Sequence, residues 1–172
     1  MGEIIGTPPT VPMKAKQSTA RRTGSLDDVD LRILEILQTD GRLSGTDIGR
    51  AVHLSQPAVS ARIQRLERAG VIKGYRAVVD PAAIGLNIHA IVRVRTPHAR
   101  ITEALEVFER LREVTTAYRL TGEDCFLLEV HAADAGRLEE VVDAIGRLGP
   151  VTTSLVLRDY LHKSLPAAIE ET

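Results

Sequence analysis

The stretch between Leu43 and Arg68 combines side chains that could read DNA bases. Glutamine can make two hydrogen bonds to one adenine and arginine two to one guanine, and arginine also binds phosphates. Small side chains beside them would let a helix backbone come close to the base edges. The candidate DNA-contacting residues in this stretch and just after it are Ser44, Gln56, Pro57, Ser60, Ala61, Arg62, Gln64, Arg65, Arg68, Lys73 and Arg76. These residue types predict a DNA-reading surface.

The first half of this stretch predicts a short helix. Ser44 can cap its start, because a serine hydroxyl accepts a hydrogen bond from an unpaired backbone N–H of the first turn. The residues expected on its buried face are Ile48, Ala51 and Val52. Their spacing by three and four matches one side of a helix. A short, half-buried helix is therefore expected here.

A second helix is predicted to follow after a tight turn. Ser55 is its expected N-cap, and Pro57 is tolerated in the first turn because N–H groups there have no partner within the helix. Val59, Ile63 and Leu66 fall at i, i+4 and i+7, which places them on one buried stripe. The opposite side, with the candidate DNA-contacting residues, then faces outward.

The flanking residues complete a small helical domain. Asp27 and Asp28 favour a helix start before the stretch. The apolar stripe of that helix consists of Val29, Ile33, Leu34 and Leu37. Gly70 is expected to end the second helix of the pair in a left-handed conformation. Residues 71–79, VIKGYRAVV, alternate and predict a small β-wing or a strand returning along the helices. Residues 25–80 are therefore predicted to form a winged helix-turn-helix domain.

The basic charge of this predicted domain is local. Between Arg50 and Arg76 one acidic residue, Glu67, stands against six basic residues, whereas the whole chain has a net charge of −1. A protein that coats nucleic acid without selectivity would usually be basic throughout, so the clustering indicates a confined DNA-facing surface. The alternative is a solvated basic helix in an ordinary three-helix core.

Length and composition favour two domains. At 172 residues with 44% apolar residues, the chain has room for a second domain after a DNA-binding unit of about 55 residues. Cys125 is the only cysteine, so no internal disulfide is expected. No apolar run reaches the roughly 18 residues that span a bilayer, and no secretory pattern opens the chain, so a cytoplasmic, nucleoid-associated protein is expected. Residues 1–24 are rich in proline, glycine and small polar residues, which predicts a disordered arm.

The second half alternates between strand and helix patterns. Residues 81–86 are predicted to be a hinge and 164–172 a C-terminal tail. The predicted strands are 87–96, 114–121, 125–132 and 151–160, and the predicted helices are 98–112 and 134–147. The order βαββαβ predicts a ferredoxin-like domain over 87–163, so the fold class is α+β.

One face of this predicted sheet would lack a covering layer, because both helices pack on the other face. The outward-facing apolar residues expected there include Leu127, Leu155 and Leu157. A second copy of the chain would cover them symmetrically. A dimer would also present two recognition helices to a two-fold related DNA site.

The residues from Leu26 to Asp80, LDDVDLRILEILQTDGRLSGTDIGRAVHLSQPAVSARIQRLERAGVIKGYRAVVD, resemble the N-terminal half of the Lrp/AsnC (leucine-responsive, or feast/famine) transcriptional regulators. The second half resembles the ligand-sensing domain of that family. The resemblance implies a homodimer joined through the C-terminal sheet, commonly assembled into octamers, with an amino acid bound between subunits near the turn that joins the second and third strands. The implied ligand-binding residues are Thr121, Gly122, Glu123, Asp124, Cys125 and Thr153.

The residues of this turn give a weaker, independent argument for a ligand site. Gly122 lets the backbone approach a ligand, and the carboxylates of Glu123 and Asp124 beside backbone N–H groups could hold an amino acid. The alternative is a solvent-exposed acidic hairpin turn. Cys125 stands where many family members have aspartate, so the ligand does not carry over, although an apolar effector such as alanine or leucine fits the apolar surroundings best. A likeness to regulators of alanine catabolism is a hypothesis. His53 stands where the helix pair usually has glycine, and histidine tolerates a left-handed backbone.

Other classes of function find little support in the sequence. An enzyme would need a catalytic set, but Cys125 and His131 would lie about 20 Å apart along one strand, and the histidines have no metal-ligand spacing. No catalytic residue, metal site or cofactor is predicted. The alternatives are an assembly protein whose helix pair makes only protein contacts, and a ligand-independent DNA-organising protein. The predicted mechanism is sensing by assembly, in which a bound amino acid changes the oligomeric arrangement and so the spacing of recognition helices on promoter DNA.

Overall fold

The structure is a computed structural model, and it describes residues 26–161 and 163–166. These described residues divide into two compact units, the first of residues 26–75 and 164–166, and the second of residues 76–161 and 163. Leu165 joins the first unit through two hydrogen bonds with the Gln38 side chain, at 2.8 and 3.2 Å. The expectations for the arm and for the end of the tail fall outside the described residues.

The first unit contains the three predicted helices. They are α1 (Asp28–Thr39), α2 (Gly45–Val52) and α3 (Gln56–Arg68). The fully buried core residues of this unit are Ile33, Ile48, Val59 and Leu66. Because these residues come from all three helices, burying them fixes which side of α3 faces outward.

Helix α1 begins with a reciprocal cap. The Asp27 carboxylate accepts a hydrogen bond from the Asp30 backbone N–H at 2.8 Å, and the Asp30 carboxylate accepts one from the Asp27 N–H at 3.2 Å. This arrangement satisfies two N–H groups that have no partner within the helix. Asp30 is also fully buried, which a charged carboxylate tolerates only when further groups pair with it.

The predicted tight turn joins α2 to α3. The Ser44 hydroxyl caps α2 by accepting a hydrogen bond from the Asp47 N–H at 3.2 Å. His53 ends α2 in a left-handed conformation, with φ 56° and ψ 41°, as its residue type allows. Ser55 occupies the N-cap position of α3, but its hydroxyl makes no capping hydrogen bond. The turn geometry therefore depends on the backbone more than on the Ser55 side chain.

The predicted buried face of α2 is wrong at one position. Ala51 is exposed, and Gly49 is buried. The Leu54 N–H donates to the Gly49 carbonyl at 2.9 Å, so the chain folds back closely over this glycine. A Cβ at position 49 would lie 2.5 Å from the Leu54 carbonyl oxygen. Apolar spacing overlooks glycine because it has no side chain, although that lack is what allows the close crossing.

The predicted β-wing is absent. Gly70 ends α3 with φ 72°, as expected, and Val71 and Ile72 pack against the core of the first unit. No strand forms between Val71 and Val79, all of which the structure describes. An alternating pattern makes a strand only where a neighbouring strand supplies hydrogen-bond partners, and the described part of the chain supplies none here. The first unit is thus a helix-turn-helix domain without a wing.

The second unit has the predicted βαββαβ order. Its strands and helices are β1 (Ile88–Val94), α4 (Ile101–Arg110), β2 (Val114–Arg119), β3 (Phe126–Ala132), α5 (Ala135–Gly146) and β4 (Val151–Leu155), with short 3-10 turns at Ala82–Ile84 and His98–Arg100. The four strands form one antiparallel sheet in the order β2-β3-β1-β4. Among the described residues, no helix is long and apolar enough to cross a membrane.

The last strand is shorter than predicted because its neighbour ends. Among the described strands β4 pairs only with β1, with Leu155 opposite Ala90, and the Val156 N–H donates to the His89 carbonyl at 2.9 Å. β1 begins at Ile88, so the residues after 156 have no further backbone partner in it. The strand therefore ends at Leu155 instead of Tyr160.

The sheet register corrects the predicted uncovered face. Cross-strand neighbours in an antiparallel sheet point to the same side. Leu155 lies opposite Ala90, a residue of the core between sheet and helices, so Leu155 is on the helix side and not on the uncovered face. Leu127 lies opposite Arg93 on the other face, as predicted. Leu157 lies beyond β4 and is 94% exposed. The uncovered face is therefore less apolar than the sequence suggested.

Two histidines stack on the uncovered face. His89 and His131 are opposite each other in β1 and β3, with ring centroids 4.3 Å apart and planes 13° apart. His89 Nε2 and His131 Nδ1 are buried without a hydrogen-bond partner among the described residues. Burial, and then the neighbouring His89, lower the pKa of His131 below its ordinary value of 6.5, against the opposing carboxylates of Glu129 and Asp159.

The second unit is therefore expected to lose stability as the pH falls. A histidine whose pKa is lower in the folded chain binds its proton more readily when unfolded, so its contribution is complete above pH 6.5 and is lost as the pH falls through the folded pKa. Urea unfolding from about pH 7.5 to about pH 5.5 measures this decline. His131→Phe, which keeps a stacked ring but cannot titrate, should decline less, whereas His98→Phe at an exposed site should match the unmodified chain. Equal declines for all three chains would contradict the prediction.

Candidate DNA-binding surface and ligand turn

Helix α3 presents most of the predicted DNA-contacting side chains together. Val59 and Leu66 are fully buried on its inner side. The exposed members of the predicted set on α3 are Gln56, Pro57, Ala61, Gln64, Arg65 and Arg68, while Ser60 and Arg62 are half-buried. Since one helix carries them all, the buried stripe alone orients this surface.

Several of these polar groups have local partners. Gln56 Nε2 donates to Ser60 Oγ at 2.9 Å, and Arg68 Nε donates to the Gln64 carbonyl at 3.2 Å. Ser44, exposed at the start of α2, donates its hydroxyl proton to Asp47 at 2.6 Å. The side chains of Gln56, Gln64 and Arg68 still have unused hydrogen-bonding groups that could bind bases or phosphates.

Arg62 and Arg65 turn back toward the start of α1. Arg62 Nη1 lies 2.6 Å from Asp27 Oδ2 and 2.8 Å from Asp30 Oδ1. Arg65 Nη2 is hydrogen-bonded to the second Asp30 oxygen. Burial alone would raise the pKa of the Asp30 carboxyl, but the hydrogen bonds from Arg65 and Arg62 outweigh it and hold that pKa below its ordinary value. Both arginines, predicted as DNA contacts, therefore also tie α3 to α1.

The positive charge of this surface is smaller than the sequence count indicates. Its acidic partners come from outside the segment counted: the start of α1 pairs with Arg62 and Arg65, and Asp47 lies 2.7 Å from Arg50. Among the basic predicted contacts, those that are exposed and form no ion pair within the described part of the chain are Arg68, Lys73 and Arg76. Lys73 belongs to the first unit, and Arg76 is the first residue of the second.

The predicted ligand turn is anchored to the central strand β1. The Leu120 N–H donates to the Cys125 carbonyl, and the Cys125 N–H donates to the Val94 carbonyl, both at 3.0 Å. Between them Gly122 adopts φ 107°, and a Cβ there would meet no atom within 4 Å. Only glycine takes this conformation without strain, so the open, glycine-centred turn is confirmed.

The two carboxylates of the turn already have cationic partners. Glu123 lies 2.7 Å from Arg95 and Asp124 lies 3.5 Å from Arg93. Arg93 lies on the uncovered face of β1, and Arg95 lies on the same side just after the strand. In the sequence, only the alternation of polar and apolar residues marked these two arginines. The turn is therefore a mixed-charge cluster, and not the purely acidic one expected from its own residues.

Cys125 contacts a buried threonine that sequence reasoning missed. Its Sγ donates to the Thr96 carbonyl at 3.1 Å. Thr96 is 2% exposed, and its hydroxyl has no hydrogen-bond partner among the described residues. No pattern marked Thr96, because a single threonine after a strand is common. Thr153 is not brought to the turn: it lies on β4 opposite Val92, with β1 between it and β3.

Among the described residues, no group of three or more histidine, cysteine, aspartate or glutamate side chains could hold a metal ion.

Two known domain families match the two units. The AsnC-type helix-turn-helix domain matches residues 26–67, and the Lrp/AsnC ligand binding domain matches residues 89–166. The chain belongs to the Lrp/AsnC family. It is thus a transcriptional regulator with a DNA-binding helix-turn-helix and a ligand-binding domain, and its relatives are regulators and not enzymes.

Similar Lrp/AsnC proteins cover both units. The chain is 35% identical over 125 residues to the HTH-type transcriptional regulator LrpC of Bacillus subtilis, spanning 73% of this chain and 85% of LrpC. The solved structure of LrpC covers 81% of this chain and 99% of its own, with a TM-score of 0.77 and 29% identity. The crystal structure of the transcriptional regulator NMB0573 of Neisseria meningitidis, a complex with L-Met, covers 81% of this chain and 95% of its own, with a TM-score of 0.74 and 29% identity.

Proposed function

We propose that this regulator binds double-stranded promoter DNA sequence-specifically and that an amino acid bound to its second unit changes its DNA affinity. The observation that carries the proposal is an outward-facing recognition helix in the same chain as a Lrp/AsnC ligand-binding domain. The similar regulator NMB0573 forms a complex with L-Met, an apolar amino acid, which supports an apolar effector of the alanine or leucine type here. Genes of amino-acid metabolism are the proposed targets.

On the DNA side, the contacts divide into two kinds. Gln56 and Gln64 are proposed to read base edges, since amides pair bidentately with adenine. Arg68 and Lys73 are proposed to bind phosphates, which fixes the register of α3 without reading sequence, and Arg76 of the second unit is a separate proposed phosphate contact. The small side chains of the predicted contact set would let α3 come close to the bases in the groove. They belong to Ser44, Pro57, Ser60 and Ala61. Arg62 and Arg65 would contribute to DNA binding while their ion pairs with the start of α1 hold them in place.

On the effector side, the proposed site is the turn 121–125. The Arg93–Asp124 and Arg95–Glu123 pairs could exchange partners with the α-carboxylate and α-amino groups of an amino acid. Because Cys125 stands where many family members have aspartate, the turn has one carboxylate fewer. Thr153 lies on the helix side of the sheet, opposite Val92, so it would reach a ligand between subunits only from a further copy that does not pack on the uncovered face.

Assembly is the proposed route from effector to DNA. A homodimer would cover the uncovered sheet face, which carries Leu127 and the half-exposed Tyr118, and further assembly to an octamer would set the spacing of the recognition helices. The proposed setting is the cytoplasm, on the nucleoid.

The test is fluorescence anisotropy of the full chain on the DNA upstream of its own gene and of the neighbouring gene. Binding is measured at two salt concentrations, alone and with each of the twenty amino acids, because salt separates phosphate contacts from base contacts. Tight binding shifted by one or a few amino acids supports the proposal and identifies the effector. Tight binding that no amino acid changes would favour a ligand-independent DNA-organising protein. The carboxylates of Glu123 and Asp124 also favour this alternative, because each already forms an ion pair with an arginine of the same chain.

Gly122→Thr is expected to abolish the amino-acid response without abolishing DNA binding. Its side chain would enter the open space over the turn, and the left-handed backbone would cost about 1–3 kcal/mol of stability. Gly85→Thr is the matched control, because Gly85 also has a positive φ, 85°, and no atom near its Cβ position. Anisotropy with the effector compares the two variants. An amino-acid response that survives Gly122→Thr would remove this turn from the site.

A further inference from the structure

Negative charge lies beside the DNA-facing side of α3. Asp27, Ala61, Arg62 and Arg65 line one surface hollow. The Asp27 side chain is 51% exposed there, where it would repel phosphates. A neutral serine or asparagine would start α1 about as well, so the helix cap alone does not require a carboxylate. Among the described residues, the other contact of the Asp27 carboxylate is with Arg62.

The Arg62 guanidinium is held through one of its three nitrogens. Its Nη1 contacts Asp27 and Asp30 at 2.6 and 2.8 Å, and its Nε and Nη2 have no partner among the described residues. A guanidinium is a flat group with five N–H donors, so two hydrogen bonds from one nitrogen also set the direction of the edge formed by Nε and Nη2. The side chain is 28% exposed, so part of it reaches the surface of α3.

A fixed arginine and a free arginine recognise DNA differently. A free side chain can swing to whichever phosphate is near, which strengthens binding to every sequence alike. A guanidinium with a set direction meets only an acceptor at one place, such as the O6 and N7 of a guanine at one position. The exposed carboxylate adds a penalty for any complex in which Arg62 leaves it.

We propose that Asp27 is a positioning residue for sequence recognition, holding Arg62 against α1 so that its free edge points in one direction along α3. The inference rests on the proposed sequence-specific DNA binding. Asp30 holds Arg65 and Arg62 from inside the domain, but it is buried, so changing it would also disturb the core. Of Asp27 and Asp30, Asp27 is the one at the surface, so it can be substituted without disturbing the core.

Asp27→Asn tests the carboxylate while keeping the cap, because asparagine is as good an N-cap as aspartate. Asp28→Asn is the matched control: it removes the same charge from the next residue, which is exposed and has no ion pair in the described part of the chain. Asp27→Ser, a second neutral cap, checks that the amide itself has no effect. The full chains are measured by anisotropy on a duplex that the unmodified chain enriches from a random-sequence library and on a scrambled duplex of equal composition.

Asp28→Asn is expected to strengthen binding to both duplexes by a similar factor, leaving the ratio of their Kd values unchanged. Asp27→Asn and Asp27→Ser remove the same charge and should strengthen the scrambled complex alike, but they also release Arg62, which offsets that gain in the enriched complex, so the ratio falls by about fivefold or more. Equal ratios for the Asp27 and Asp28 variants would overturn the role of Asp27 while leaving sequence-specific binding in place. If the unmodified chain enriches no sequence, the proposed function itself fails, and this inference fails with it.

Discussion

Gly49→Ala is expected to destabilise the helix-turn-helix unit by about 3 kcal/mol, the upper end of the cost of overpacking a close contact. In an ordinary helix interior the same change would stabilise the chain by about 0.5–1 kcal/mol. Here the new Cβ would lie 2.5 Å from the Leu54 carbonyl oxygen, a backbone atom that moves only if the turn opens. Opening the turn would also break the hydrogen bond from the Leu54 N–H to the Gly49 carbonyl. Helix α3 would lose its fixed place, and DNA binding would weaken accordingly.

Gly146→Ala is the matched control for this prediction. A Cβ at position 146, near the end of α5, would meet no atom within 4 Å, so alanine there should leave stability unchanged or slightly raised. Urea unfolding gives the free energies, and hydrogen exchange over residues 45–66 shows whether the loss is confined to the first unit. An unfolding free energy for Gly49→Ala as high as that of the unmodified chain would show that the turn accommodates a methyl group without cost.

Asp30→Ala is expected to lower the free energy of unfolding by about 3 kcal/mol, near the lower end for breaking a buried ion pair because both arginines can reach solvent. The fully buried Asp30 carboxylate accepts hydrogen bonds from Arg62, Arg65 and the Asp27 N–H. Alanine removes all three at once. Asp28→Ala, on the exposed side of the same turn, should have little effect.

The pH dependence gives a second check on Asp30. The pKa of its carboxyl is held below its ordinary value of 3.8, so the stability it contributes is present above that pH and is lost as the pH falls through the folded pKa. The unmodified chain should therefore lose more stability than Asp30→Ala on going from about pH 5 to about pH 3. Parallel acid curves for the two chains would mean that the ion pairs contribute nothing measurable.

The sequence predicted the elements well because each depends on residues close together in the chain. The i, i+4, i+7 spacing of Val59, Ile63 and Leu66 was enough to orient α3, and Ser44 was enough to start α2. The order of strands and helices in the second unit followed from local alternation in the same way. These are properties that one helix or one strand can express by itself.

The sequence failed where the answer depends on how distant segments meet. Arg62 pairs with Asp27, 35 residues away, and this contact exists only because the start of α1 lies within reach of an α3 side chain. The face of Leu155 depends on its register with β1, and the missing wing depends on whether a neighbouring strand exists. The pairing of Arg95 with Glu123 likewise joins residues from separate segments. Periodicity carries no information on such contacts.

The strand order sets a sequence of events during synthesis. Central strand β1 emerges early, but one of its neighbours, β4, pairs Val151 with Val94 and is among the last described elements to be made. The helices of the first unit are contiguous and need only local contacts, which form quickly, whereas pairing of distant strands is slow. On the ribosome, the three helices of the first unit can therefore fold before the sheet is complete, and a nascent chain passes through a stage with a folded recognition helix and an open sheet edge along β1.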